Sequence, residues 1–390
     1  MNGSKTLDGA DLRRLLFVAT LGLSAAIVTW FIYLSVPVSA WVAGDFRVFW
    51  AAARLPESAA YDQAALTAAL MPLGETGLRA FVSPPTLLLA IEPLARMPLW
   101  PAYALWTAIG LALFVAAGER SAGRLSLLVL PVAPAIHWAV LAGQVTLIVG
   151  SLLYGGLVLL ARRPVAAGIL FACAALLKPQ AALLVPVALI AGRHWRSLFA
   201  ALAAGAAGGI VSLLIQSPTL WFSWLAAVRD FDALIRSNGF IANGITPAAF
   251  THGTSIEGAA ALAVVAGGAL LGIACCWHVF RRSDDPALRG GAVVCGSLLC
   301  TPYALPYEAA ALLPAAALLL TRPNVPRATL PAAALAICFP FSPLTVAIFA
   351  GGLIWAASKA KPSSSPEPSS SGPLSSEQPS LLAPSSPPAP

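Results

Sequence analysis

A succession of apolar runs, each separated from the next by a short polar or basic break, is the feature that most limits what this 390-residue chain can fold into. Hydrophobic residues make up 58% of it and charged residues only 10%, too little polar surface to enclose that much apolar side chain in a water-soluble core. The bilayer is therefore the expected solvent. A net charge of +7 does not point to nucleic acid, because most Lys and Arg stand in small clusters between apolar runs, as membrane topology requires.

The first run, Leu15 to Val38, follows Lys5, Arg13 and Arg14 and ends at the small residues Val38-Ser39-Ala40, in the manner of a signal peptide. It is long enough to cross a ~30 Å core, whereas a signal peptide's apolar region usually runs ~7 to 15 residues, so an uncleaved first helix is expected. Threading from a cytoplasmic N-terminus, residues 1–14, predicts about twelve transmembrane helices within residues 15–360. They fall near 15–37, 100–118, 125–140, 144–161, 165–177, 179–192, 197–215, 258–280, 287–302, 307–320, 328–340 and 343–358. Basic pairs such as Arg162-Arg163 and Arg281-Arg282 then lie inside. Pro84 to Arg96, counted as a crossing, would move those clusters outside, so it is read as a re-entrant or interfacial helix on the outer side. The expectation is an all-α polytopic protein of the inner (plasma) membrane, with both termini cytoplasmic and with amphipathic and re-entrant helices on its outer face. Two long segments, 39–99 and 216–257, lie outside and hold any chemistry. Residues 361–390, rich in Ser and Pro, cannot bury a core and are expected to form a disordered cytosolic tail.

The first outer segment opens with GDFRVFWAAARL, residues 44–55. Asp45 is the leading general base, because a carboxylate at a membrane surface beside aromatic groups is partly desolvated while Arg47 can keep it ionised. The alternative is that Asp45 is the N-cap of a helix starting at Phe46. Tyr61-Asp62 and Ser83-Pro84-Pro85 bracket short amphipathic helices expected to lie on the membrane through Ala65, Leu66, Ala69 and Leu70, or else supply only turn and cap chemistry. Gln144 and Lys178 stand at the outer ends of helix pairs. Lys178 is a cation in a long apolar hairpin, and such a residue must snorkel, pair or bind an anion such as a lipid phosphate.

The second outer segment carries Trp221, Trp224, Arg229, Asp230, Asp232, Arg236, Asn238, Asn243 and His252. It is either an interfacial aromatic belt with a solvated loop or a surface for sugar hydroxyls. The run Thr301 to Glu308 breaks two spans with prolines at 302 and 306, and unwound backbone at that depth is tolerated only against protein or a water-filled cavity. The six cysteines lie in apolar runs without Cys-x-x-Cys spacing, and the four histidines are scattered, so no metal site is expected.

In order along the chain, GDFRVFWAAARL, YD, SPP with TLLLAIEPLARMP, GQVTLIVGSLL, AALLKPQAALLVP and TPYALPYEAAALLPA resemble glycosyltransferase family 87, the polyprenyl-phosphate-mannose-dependent mannosyltransferases. The first block also looks like the eukaryotic GPI mannosyltransferases of the same C-type fold. The resemblance covers roughly residues 40–320. It implies a C-type (GT-C) glycosyltransferase fold and metal-independent transfer of a hexose, mannose, from a polyprenyl-phosphate-linked donor to a lipid or glycan acceptor on the outer face, with inversion and no cofactor. The family's first-loop acid falls on Asp45. Arg47, Gln144, Lys178, Arg236, Tyr303 and Tyr307 become candidates for the donor phosphate or sugar, and Asp62, Asp230, Asp232 and Glu308 secondary acids. This chain departs from the family at Ser83 and Thr146, where an aromatic residue and an Asn often stand, and at Tyr303 and Tyr307, where some members have His. The rival reading is a transporter or flippase of lipid-linked sugars, which would also need outer charges and broken helices.

Overall fold

The computed structural model describes residues 9–34, 42–75, 79–237 and 240–359. The expectations for Lys5, for Val38-Ser39-Ala40, for Asn238 and for the 361–390 tail fall outside those residues. Prolines set many helix starts, because a residue without an N–H and with φ already near −65° suits a first turn but not a helix interior. Pro134, Pro164, Pro247, Pro286 and Pro343 each open a helix.

In chain order the helices are α1 (Gly9–Leu34), α2 (Gly44–Ala52), α3 (Gln63–Leu70), α4 (Pro85–Ala95), α5 (Leu99–Ala122), α6 (Pro134–Ala142), α7 (Thr146–Leu159), α8 (Pro164–Leu177) and α9 (Val185–Ala191). They continue with α10 (Trp195–Ile215), α11 (Pro218–Ser237), α12 (Pro247–Gly253), α13 (Gly258–Arg282), α14 (Pro286–Cys300), α15 (Leu313–Thr321), α16 (Leu330–Cys338) and α17 (Pro343–Lys359). No strand occurs among the described residues.

By length and composition α1, α5, α10 and α13 can each cross a membrane, and α6 with α7, bent by 119° at their junction, makes a fifth if counted as one broken span. α10 and α13 expose Phe199, Leu202, Leu214, Leu262 and Leu270 outward, an apolar surface suited to a lipid solvent. The other expected crossings are shorter, and several are divided. The 125–140 stretch is a 3-10 turn, Arg124–Leu128, followed by α6; 179–192 is a turn at Pro179–Ala182 followed by α9; 307–320 is a turn at Pro306–Leu312 followed by α15. A 17-residue helix such as α17 is about 25 Å long at 1.5 Å per residue, so these shorter elements do not by length alone qualify as crossings.

Two expectations about the segments around the site are corrected. The apolar face of α3 does not lie free for lipid, because Leu66 and Leu70 are buried in the protein core with Ala69 packed against it. The 216–257 stretch is not a solvated loop in its first half: Pro218–Ser237 is one 20-residue helix, α11. Its tryptophans are structural ties, with Trp224 Nε1 donating to the Val82 carbonyl at 3.0 Å and Trp221 Nε1 to Ser212 Oγ at 3.2 Å. The Pro84 to Arg96 stretch contains α4, 11 residues long. Its first turn is held by Gln216 Nε2 donating to the Pro85 carbonyl at 3.2 Å and by Thr86 Oγ1 donating to the Leu176 carbonyl.

Candidate functional site

The site begins with the start of α2. Ala43 precedes that helix at φ 60°, a left-handed conformation that strains a residue bearing a Cβ. It is fully buried, and its N–H donates to the Leu141 carbonyl at 2.6 Å, which ties α2 to the end of α6. The helix runs from Gly44, so Asp45 is in its first turn and is not its cap; the side chain is engaged elsewhere. The capping alternative is thereby overturned.

Opposite Asp45, α6 ends at Gly143, whose φ of +68° belongs to the left-handed region that glycine adopts without strain. A Cβ there would also stand 2.6 Å from the Cβ of Phe46. The bend is pinned from α5, where Trp106 Nε1 donates to the Gly143 carbonyl at 3.0 Å and the Tyr103 hydroxyl to the Val140 carbonyl at 2.8 Å. Gln144 is thus delivered to the carboxylate: its Nε2 donates to Asp45 Oδ2 at 2.7 Å and to the Tyr307 hydroxyl at 2.9 Å.

Lys178 terminates α8 in an extended conformation, φ −153° and ψ 84°, as the residue before Pro179 is expected to. It does not snorkel. It is 9% exposed and forms an ion pair with Glu308, while Thr146 Oγ1 donates to the other carboxylate oxygen at 2.8 Å and lies 3.4 Å from Lys178 Nζ. Glu308 and Tyr307 come from the 3-10 turn at Pro306–Leu312. The unwound backbone before that turn is satisfied by protein: the Ile245 N–H donates to the Ala304 carbonyl at 2.8 Å and Thr246 Oγ1 to the Pro302 carbonyl at 3.1 Å.

These groups share a cavity of about 800 Å³, whose lining includes Asp45, Glu75, Arg79, Gln144, Lys178, Asp232, Tyr303, Tyr307 and Glu308. Its other wall is apolar and comes largely from α11, through Trp224, Val228, Phe231, Leu234 and Ile235. Tyr303, packed edge-on against Phe231, has a buried hydroxyl without a hydrogen-bond partner among the described residues. Burial, and then the Asp45 and Glu308 carboxylates, push that hydroxyl's pKa well above the ordinary phenol value, so it is a hydrogen-bond donor at any physiological pH.

Other candidates are placed elsewhere. Arg47 is buried, paired with the cavity-lining Glu75 at 3.1 Å and lying over the Trp100 ring, and is not itself among the cavity-lining residues. Arg236 does not line the cavity but pairs with Asp232, which does, and Asp62 is the N-cap of α3, accepting from the Ala65 N–H at 2.7 Å. Asp230 is exposed. Sequence reasoning missed Arg79 and Glu75. Arg79 reaches Asp45 at 3.8 Å and Glu75 at 3.3 Å, and Glu75 bridges it to Arg47. The i, i+4 spacing of Glu75 and Arg79 was the only signal available. Among the described residues no three His, Cys, Asp or Glu side chains come together as a metal-ligand set.

No curated protein and no solved structure matches the chain. The family model of glycosyltransferase family 87 matches residues 81–302, more than half of the 390 residues. That range contains Gln144 and Lys178; Asp45, Glu75 and Arg79 precede it, and Tyr303, Tyr307 and Glu308 follow it directly. With apolar helices that fit a membrane protein and a cavity lined by paired charges, this chain belongs to glycosyltransferase family 87.

Proposed function

We propose that the cavity transfers a hexose, mannose, from a polyprenyl-phosphate-linked donor to the hydroxyl of a lipid or glycan acceptor, with inversion. Asp45 is the general base, and the fold is the C-type glycosyltransferase fold with about twelve crossings. The observation that carries this reading is the meeting, on one cavity, of a carboxylate from α2 with cations from two other segments, Arg79 and Lys178. A lipid-phosphate leaving group needs little acid help, whereas the acceptor hydroxyl needs a base aligned against it. Lys178 and Arg79 stabilise the charge that grows on the departing phosphate. Arg47 and Arg236 do not line the cavity themselves but pair with Glu75 and Asp232, which do. The Tyr303 hydroxyl, without a hydrogen-bond partner among the described residues, donates to a sugar or phosphate oxygen.

Mass spectrometry of the purified protein incubated with polyprenyl-phosphate-mannose and candidate acceptors tests the reading. Sugar transfer is the expected result. Donor movement across proteoliposomes without transfer would replace it with the flippase reading.

The site is placed on the outer face of the inner membrane, from the distribution of basic residues. A reporter active only outside the cytoplasm is expected to work when fused near Gly74 or Asn243 and to fail after Arg163 or Arg282. Opposite signals at Gly74 and Asn243 would mean that the α4 region crosses the membrane.

A further inference from the structure

We infer that Gln144 is the positioning residue for the base, holding one oxygen of Asp45 so that the other takes the acceptor's proton. The inference rests on the reading of Asp45 as general base. The orientation of the Gln144 amide is decided by its surroundings, because its Oε1 accepts the Val145 N–H at 3.1 Å, which leaves Nε2 toward Asp45 Oδ2 at 2.7 Å and the Tyr307 hydroxyl at 2.9 Å. The reverse orientation would set the amide oxygen against a carboxylate oxygen and point the NH2 at an N–H donor. Both amide hydrogens are consequently spent on protein, so Gln144 has no N–H left for a sugar hydroxyl or a phosphate oxygen, the role its place in the sequence first implied.

The amide is held on a rigid base. The Gln144 N–H donates to the Ala139 carbonyl at 3.0 Å, the residue is 8% exposed, and the preceding glycine is wedged against Phe46 of the same helix that carries Asp45. A hydrogen bond to an ionised carboxylate is among the stronger kinds available to a neutral donor. Asp45 Oδ2 is therefore the tethered oxygen. Oδ1, 3.8 Å from Arg79 NH1, is the one available to the substrate.

In the step this serves, the acceptor oxygen forms its bond to the anomeric carbon as the bond from that carbon to the phosphate oxygen breaks. The acceptor proton passes to Asp45 Oδ1, and the electron pair of the broken bond leaves on the lipid phosphate. A base that rotates freely about its own side-chain bonds would spend much of its time out of line with that proton, and misplacement of about 1 Å can cost on the order of 100-fold in rate.

The experiment is a double-mutant cycle of Gln144→Leu and Asp45→Asn, read by single-turnover sugar transfer beside donor binding. Gln144→Leu alone is expected to slow transfer by about 10- to 100-fold with donor affinity changed less than about 3-fold, and to add little to the loss already caused by Asp45→Asn. Full multiplication of the two losses would overturn the inference, since Gln144 would then act independently of Asp45. So would transfer by Gln144→Leu within about 3-fold of wild type. Near-normal transfer by Asp45→Asn would instead remove the base reading itself, and the inference with it. Should Gln144→Leu fail to fold, Gln144→Met removes the same amide donor with an unbranched side chain that adapts to the space left. It is expected to lower single-turnover transfer about 10- to 100-fold in the wild-type background and little in Asp45→Asn, and equal losses in both would overturn the inference.

Discussion

Asp45→Asn is expected to lower kcat by about 100- to 10,000-fold while donor binding is largely retained, the range that general-base catalysis typically contributes. The substitution is close to isosteric, and the geometry makes it cleaner than the sequence alone would allow. Asp45 does not cap α2, so no helix start is lost with the carboxylate. The Asn Oδ1 can still accept from Gln144 Nε2, so the structural cost is that of weakening one charge-assisted hydrogen bond and a 3.8 Å contact with Arg79, about 1 kcal/mol. The measurement is single-turnover transfer by the purified variant with a donor-binding assay in the same nanodisc. Transfer within about three-fold of wild type would end the case for Asp45. The carboxylates to examine next would then be Glu75, Asp232 and Glu308, which line the cavity, and not Asp62 or Asp230, which do not.

The second large effect concerns Lys178. Because its side chain and that of Glu308 are only 11% and 10% exposed, replacing the lysine alone leaves a carboxylate in a desolvated place without its partner. Lys178→Met is therefore expected to destabilise the protein by about 3 to 5 kcal/mol, which obscures any effect on the donor. The informative variant is Lys178→Met with Glu308→Gln, which removes both charges together and keeps an acceptor for Thr146 Oγ1. It is expected to unfold near the wild-type temperature but to bind the donor roughly ten- to 150-fold more weakly, the equivalent of losing a hydrogen bond to a charged group. Thermal unfolding and donor Kd measured on both variants decide the matter. An unchanged Kd in the double variant would make the pair structural only, and a double variant as unstable as the single one would show that the charges do not offset one another in the fold.

Much of this was legible along the chain. The apolar runs and the scarcity of charge require a lipid solvent whatever the tertiary arrangement. Prolines at 134, 164, 286 and 343 mark helix starts because their missing N–H and restricted φ act locally. Asp45, Gln144, Lys178, Tyr303, Tyr307 and Glu308 were all identifiable as polar or charged residues at breaks between apolar runs, and the fold brings every one of them to the same cavity. A local property, the cost of burying such a residue without a purpose, was enough to single them out.

Which of them touch was not legible, since an ion pair between positions 178 and 308 or an amide between positions 45 and 307 leaves no periodic trace in sequence. Arg47 and Arg79 illustrate the point. Arg47 follows two residues after Asp45 on a helix, a step that does not set the two side chains face to face, and it is Glu75 and Trp100 that it meets. Arg79, far from Asp45 in the chain, comes to it because Glu75 holds its guanidinium against the start of α2. Burial cost and backbone restriction belong to each residue, so the lipid solvent, the helical class and most of the polar residues that line the cavity, Glu75 and Arg79 excepted, could be read along the chain. The pairings, the wall that α11 supplies and the contacts that hold Asp45 came from the folded arrangement alone, because they depend on the 119° bend at Gly143 to Val145 and on packing between segments distant in the chain.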